Sequence, residues 1–377
     1  MTLVELLVAM AISVGVMLAV GTLLVAGENQ KRITTSTNDA EQTGAYSFYA
    51  LDRLLRSAGS GIVQSAGEGV LGCRLNAAGI LPRTTPLPAP FDAHFLGGVP
   101  STLKVAPVLI AAGQSDLTSS DVLVIMGGSP SSGGVPRPIY GSGSSTSLPL
   151  ESTEGFSVND LVLVSQSGTT DCLLEQVSAV AAGSLTLAAA LPYYTTGTTT
   201  TISSLAGSTA SYVTPLGNAT VNNLQYQLIG VATNYTMYSY DLLQNQRLVQ
   251  SPGTADAVQA ISDGVIQMNA IYGISTAAGV FSHWASPAAA PYDIVSVMTT
   301  PATQQLITSV HLAVVVRGEY ADHNVVSPPT LTIFSGLVDG NGASLQKTVT
   351  LPDLHYRYRV FEFTVPLRNL LMLAGVS

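Results

Sequence analysis

The 377 residues predict an α+β protein in which one very long N-terminal helix carries a large, mostly antiparallel β head. Three observations carry that prediction. Residues 1–26 are apolar apart from Glu5, an amphipathic pattern prolongs the helix to about residue 58, and the remainder consists of short apolar or alternating runs punctuated by Gly, Ser and Pro.

The first element is the apolar segment. Leu6 to Ala26 contain neither charge nor proline, enough at 1.5 Å per residue to cross a hydrocarbon layer of ~30 Å as one helix. A carboxylate within such a segment costs about 2.5 to 3.5 kcal/mol at the bilayer centre and less near its edge, so Glu5 requires a partner or a purpose. An uncleaved signal anchor, or a signal peptide cut near Ala26, are the competing readings. Both are disfavoured, because a secretory signal has Lys or Arg ahead of a shorter apolar core, whereas here the first basic residue is Lys31. With no proline in the segment, the helix is expected to run without a break, any bend falling between Gly21 and Gly27.

Past Ala26 the helix changes character. Phe48, Leu51, Leu55 and Ala58 fall on one face, and Asp52 and Arg56 are spaced as an i, i+4 pair. The run Gly59 to Gly61 stops the helix. Residues 1–27 are thus the membrane half, 28–58 the amphipathic half, and 59–377 the β-rich head.

Within the head, strands are expected over Ser120 to Met126, Asp160 to Ser165, Leu173 to Val180, Ser184 to Ala188, Leu224 to Ile229, Tyr235 to Tyr240, Val265 to Tyr272, Ser309 to Arg317 and Arg357 to Val365. A short helical pattern covers Pro301 to Ile307. Two Gly/Ser/Thr-rich stretches, near 129–147 and 195–211, bracket a segment read as an inserted β subdomain, 148–192. Val265 to Ala270 and Val310 to Val316 alternate so as to bury at least one face. Arg317 and Arg368 stand at strand ends, where Arg suits fixing an edge to a carboxylate.

Composition limits the function. Only 10% of residues are charged and the net charge is −9, a balance that argues against nucleic acid as a partner because phosphate binding relies on clustered Lys and Arg. Cys73 and Cys172 are too few for a zinc cluster. They are expected to form a disulfide, with two free thiols as the alternative.

Enzyme motifs are missing: there is no G-x-S-x-G, H-E-x-x-H, Walker P-loop or C-x-x-C. The histidines His94, His283, His311, His323 and His355 lie far apart, without ligand spacing. Asp339 to Gly342 reads as a hairpin turn rather than a calcium loop, and Trp284 as a packing residue rather than a binding hot spot. No catalytic residue, metal or cofactor is expected.

The opening Thr2, Leu3, Glu5, Leu6 and Ala9, in the pattern T-L-x-E-L-x-x-A, resembles the mature N-terminus of type IV pilins and type II secretion pseudopilins. Further blocks resemble the PilW family of minor pilins. They are LDRLLRSAGSGIVQSAGEGVLGC with Arg56, Ala58, Gly59 and Cys73; SSDVLVI; VLVSQSGTTDCLLEQV with Cys172; and the C-terminal set ISDGVIQMNAIYG, ITSVHLAVVVRGEY and YRVFEFTVPLRN.

The resemblance implies a pilin-like fold and a structural, non-enzymatic subunit that primes pilus assembly and sits at or near the tip. It implies processing by a prepilin peptidase at a signal formed by Met1, Thr2, Leu3 and Glu5, with Met1 standing where the family usually has Phe. In assembly, Glu5 is expected to pair with the terminal amine of a neighbour's Met1. The alternative is a glutamate that snorkels to the headgroups. Implied partners are other minor and major pilins through the N-terminal helix, a large tip adhesin, and the bacterial inner membrane before assembly, with the head in the periplasm and later outside the cell. The runners-up are a J-type minor pseudopilin of type II secretion and a membrane-anchored binding protein or hydrolase.

Overall fold

A computed structural model describes residues 2–77, 80–81, 99–113, 120–130, 133–190, 193–195, 200–208, 210–221, 223–243 and 258–374. The first helix, α1, runs unbroken from Leu3 to Ser57, roughly 80 Å at the ordinary rise. Its interior holds no proline, so no i to i−4 bond is lost. It ends where Ala58 turns to extended geometry (φ −54°, ψ 134°). Gly59 and Gly61 follow at φ 75° and 73°, a backbone region that glycine enters without Cβ strain.

Among the described residues the head contains three larger sheets and one two-stranded sheet. The first contains β4 (Arg137–Pro138), β5 (Ser147–Pro149), β6 (Asp160–Gln166), β7 (Asp171–Ala181), β8 (Ser184–Leu187) and β9 (Ser211–Asn218), in the order β4-β9-β6-β7-β8-β5. A short β1 (Arg74–Asn76) adds to β7 in parallel, with Leu75 opposite Cys172. All the other pairs among the described strands are antiparallel. This sheet has its own apolar core, from Ile139 through Leu148, Val162, Leu173 and Leu185 to Val213, closed by Ile202 and Leu205 of α2 (Ile202–Ala206). Its residues begin before 148 and continue past 192.

The second sheet holds β2 (Val108–Ala111), β3 (Val122–Gly128), β10 (Leu224–Val231), β11 (Met237–Asp241) and β12 (Val258–Ser262), in the order β12-β11-β10-β3-β2. The third, ordered β14-β13-β15-β18, consists of β13 (Val265–Ser275), β14 (Phe281–Ala285), β15 (Ile307–Arg317) and β18 (Tyr358–Pro366). Short helices α3 (Ile294–Thr299) and α4 (Pro301–Leu306) precede β15, and α5 (Arg368–Ala374) follows β18.

Both rows of β15 are apolar for a physical reason. Val310, Leu312, Val314 and Val316 face the main core. Ala313 and Val315 face the other way, onto Ile333, Phe334, Val349 and Leu351 around the hairpin of β16 (Thr330–Ile333) and β17 (Lys347–Thr350). A strand covered on two sides loses the polar alternation of a half-exposed one.

Candidate functional site

The features that bear on function are the free half of α1 and the contacts that hold its other half. Every described side chain from Thr2 to Arg32 is exposed, Ile33 is half-buried, and Ser36 is the first to be buried. Among the described residues α1 is the one helix long and apolar enough to cross a membrane. At its start, the Glu5 carboxylate accepts a hydrogen bond from the backbone N–H of Thr2 at 2.8 Å. Glu5 is the third residue of α1, so it completes one arm of a capping box and lies at the positive end of the helix dipole. The T-x-x-E spacing of Thr2 and Glu5 is the local sequence signal for this cap, and hydropathy does not report it. Met1 and His94 lie outside the described residues.

The docked half buries Ser36, Ala40, Gly44, Ser47, Leu51 and Leu55. These residues recur every three or four positions, one stripe of the helix. Small residues occupy it where strands come close. A Cβ at Gly44 would overlap the Phe361 ring on β18, and the Ser36 hydroxyl lies against Gly318. Ser47 Oγ and Ser262 Oγ are 2.7 Å apart, and Asn369 Nδ2 donates to the Ala58 carbonyl at 2.9 Å, satisfying an orphan acceptor at the end of α1. Phe48, expected on the buried face, is 39% exposed. It lies roughly 60° round the helix from Leu51, and packs edge-on against Phe363 at 4.5 Å. The expected Asp52–Arg56 pair is present at 2.7 Å.

The structure also brings together blocks far apart in the chain. Cys73 and Cys172 form a disulfide, Cα to Cα 5.7 Å, and beside it Arg74 donates Nε and Nη2 to both oxygens of Asp171. Burial pushes the Asp171 carboxyl upward, but hydrogen bonds from Arg74, Thr200 and Asn76 together with the Arg74 charge hold it below its ordinary range. Asp121, at the start of SSDVLVI, is fully buried and accepts from the N–H groups of Gly113 and Ala270, each at 2.8 Å. Its neighbour Ser120 bonds both the carbonyl and the N–H of Met268 at 3.0 Å. Lys347 Nζ lies 3.7 Å from the Asp121 carboxylate. Burial pushes that carboxyl upward, opposed by Lys347 and the two amides. The second sheet is thereby tied to β13 of the third.

Arg317 behaves otherwise than an edge-fixing arginine. Its guanidinium stacks between the rings of Tyr235 and Tyr356, 4.4 and 4.6 Å from their centroids, a planar cation on aromatic faces. Arg368 opens α5 and is exposed.

The other histidines, Trp284 and Asp339 make local contacts. His311 is 2.8 Å from Thr364 Oγ1 and 3.4 Å from Glu362, and burial lowers its pKa. Trp284 packs against Phe281 and His311, with ring centroids 4.8 and 5.3 Å apart. His283 approaches the Tyr292 hydroxyl at 3.4 Å, His355 pairs with Asp353, and His323 lies in a cleft beside α1. The Asp339 carboxylate accepts from the N–H groups of Asn341 and Ala343, the local bonding of a tight turn. Among the described residues, no three His, Cys, Asp or Glu side chains are grouped to hold a metal ion.

Glu175 on β7 is buried, with one oxygen accepting from Thr195 N–H at 3.1 Å and the other without a hydrogen-bond partner among the described residues. Burial pushes its pKa from 4.5 to about 8. A folded-state value above the unfolded one favours the neutral form, so its contribution to stability is complete below 4.5 and is lost as pH rises through about 8. Glu175→Gln is expected to raise the melting temperature at pH 8 and to flatten its decline over that window. Equal pH slopes for the two proteins in thermal unfolding would contradict this.

These features define an α+β protein with one exposed apolar helix, seated on a sheet at its far half. The family model described as Type IV Pilus-assembly protein W matches residues 230–369. That span begins within β10 and includes β11, β12, the whole third sheet, the hairpin that covers it, and Asn369 against the end of α1. The match supports a protein related to type IV pili and involved in their assembly. No curated protein and no solved structure matches the chain.

Proposed function

We propose that the chain is a structural minor pilin of a type IV pilus, anchored in the inner membrane by α1 until it enters the pilus at or near the tip, and that it catalyses no reaction. The observation that carries this reading is the division of α1. One half is exposed and apolar as far as Ala26, and the other is clasped by β18 and by Asn369, both inside the span similar to a pilus-assembly family. An apolar helix solvated by lipid keeps an apolar environment when neighbouring helices replace the lipid, so extraction into a filament costs little.

In assembly, Glu5 exchanges its bond to Thr2 for the terminal amine of a neighbour, because opposite charges compensate each other in apolar surroundings far better than either alone. Glu5→Ala is expected to leave membrane insertion intact and to reduce incorporation into pili, measured by immunoblot of sheared pili against the membrane fraction. Normal incorporation would contradict the role. Other pilins and a large tip adhesin are the partners this reading implies.

A further inference from the structure

We propose that the cleft between α1 and the loop at residues 318–327 binds the headgroup of an anionic phospholipid and so seats the head on the bilayer. The inference rests on α1 being the membrane anchor. This loop is where the head first meets the helix: all described side chains of α1 before Ile33 are exposed, and Gly318 lies against Ser36, the first buried one.

Height along the helix fits. Arg32 stands six residues beyond Ala26, about 9 Å along the axis. The headgroup zone extends roughly 5 to 8 Å beyond the hydrocarbon on each side. Helix side chains lean toward the N-terminus, here toward the membrane, which brings the Arg32 guanidinium down into that zone.

The chemistry fits as well. The cleft encloses about 280 Å³ and is lined by Arg32, Tyr320, His323, Asn324 and Arg357, with Asp322 among them. Arg32 donates Nη2 to the Ala321 carbonyl at 3.2 Å, and Arg357 donates Nη2 to Asp322 at 3.0 Å. Each guanidinium has five N–H donors, so most of their donors remain for phosphate oxygens. Among the lining residues Arg32 and Arg357 stand against Asp322, one net positive charge in a chain of net charge −9, while Glu319 of the same loop lies outside the lining and Glu28 one turn nearer the membrane. Beside it, Tyr320 is 44% and Val325 63% exposed. A free phosphate ion gives these apolar surfaces nothing to bury, whereas the bilayer interface accepts both. The bilayer is therefore the source of the anion.

The test is hydrogen exchange on the full chain in nanodiscs of phosphatidylcholine alone, or of phosphatidylcholine with phosphatidylglycerol. Residues 318–327 are expected to exchange about fivefold more slowly with phosphatidylglycerol, the effect of one basic contact at an anionic surface. Arg32→Gln is expected to remove the difference and Arg32→Lys to retain it. Equal exchange of 318–327 in the two discs would overturn the inference. So would equal protection from inorganic phosphate in phosphatidylcholine discs, which would make this a free-phosphate site. Protection of residues 6–26 in both discs reports the anchor separately. If that segment exchanges freely the anchor itself fails, and if it is protected while 318–327 is indifferent to lipid charge, only the headgroup site fails. Should Arg32→Gln speed exchange in β15, the wild-type comparison between discs decides alone.

Discussion

Replacing Cys73 and Cys172 together with alanine is expected to lower the stability of the head by about 4 to 5 kcal/mol. The bridge spans 99 residues, so in the chain-entropy model it removes much of the freedom of the unfolded chain between α1 and β7. It also sits where the one parallel pairing among the described strands must be held, with Arg74 opposite Asp171 and Leu75 opposite Cys172. A three-residue strand has too few ladder bonds to keep that register by itself. Urea unfolding of the full chain in detergent, with and without reductant, measures the effect. Reductant should shift the midpoint of the wild type and leave the double alanine variant where it is. A wild-type midpoint indifferent to reductant would show that the bridge does not form, or does not stabilise.

Asp121→Ala is expected to cost about 1 to 3 kcal/mol, the range for leaving a buried polar group without its hydrogen-bond partner. The buried N–H of Ala270 would lose its acceptor, and the partly exposed Lys347 would lose its carboxylate partner. The consequence reaches beyond stability. Asp121 and Ser120 join the second sheet to β13, the strand next to β15, and β15 and β18 are the strands against which α1 is seated. Hydrogen exchange should therefore rise in both sheets and over residues 36–55 of α1, and less in the first sheet, which has a separate core. A change confined to residues 113–121 would contradict this coupling.

Much of the fold was legible in the chain, for reasons that can be named. The end of α1 was marked by Gly59 and Gly61, which adopt positive φ. The longer strands, β6, β7, β10, β13, β15 and β18, were marked by runs of β-branched and apolar residues that the observed spans extend by a few positions at most. The elements that escaped are those whose local signal is weak. β9 contains Pro215 and Gly217 and passes beside a register shift, features that demote a strand on sequence grounds. β2 has four residues, and β16 and β17 owe their place to packing on the outer face of the third sheet.

The candidate site was legible only in pieces. Glu5 stood out as a lone charge, but its bond to Thr2 depends on a capping geometry that hydropathy does not show. The meeting of Asp121 with Ala270 joins residues 149 apart, and no periodicity encodes such a pairing. Arg317 was placed correctly at a strand end, yet its aromatic partners Tyr235 and Tyr356 come from distant loops.

Entry of this chain into a pilus by way of α1 is tested most directly by quantitative mass spectrometry of pili sheared from the native host. Peptides from both α1 and the head should be found in the pilus fraction, at lower abundance than the bulk subunit. The chain's absence from pili, while it is abundant in the membrane fraction of the same cells, would contradict the claim.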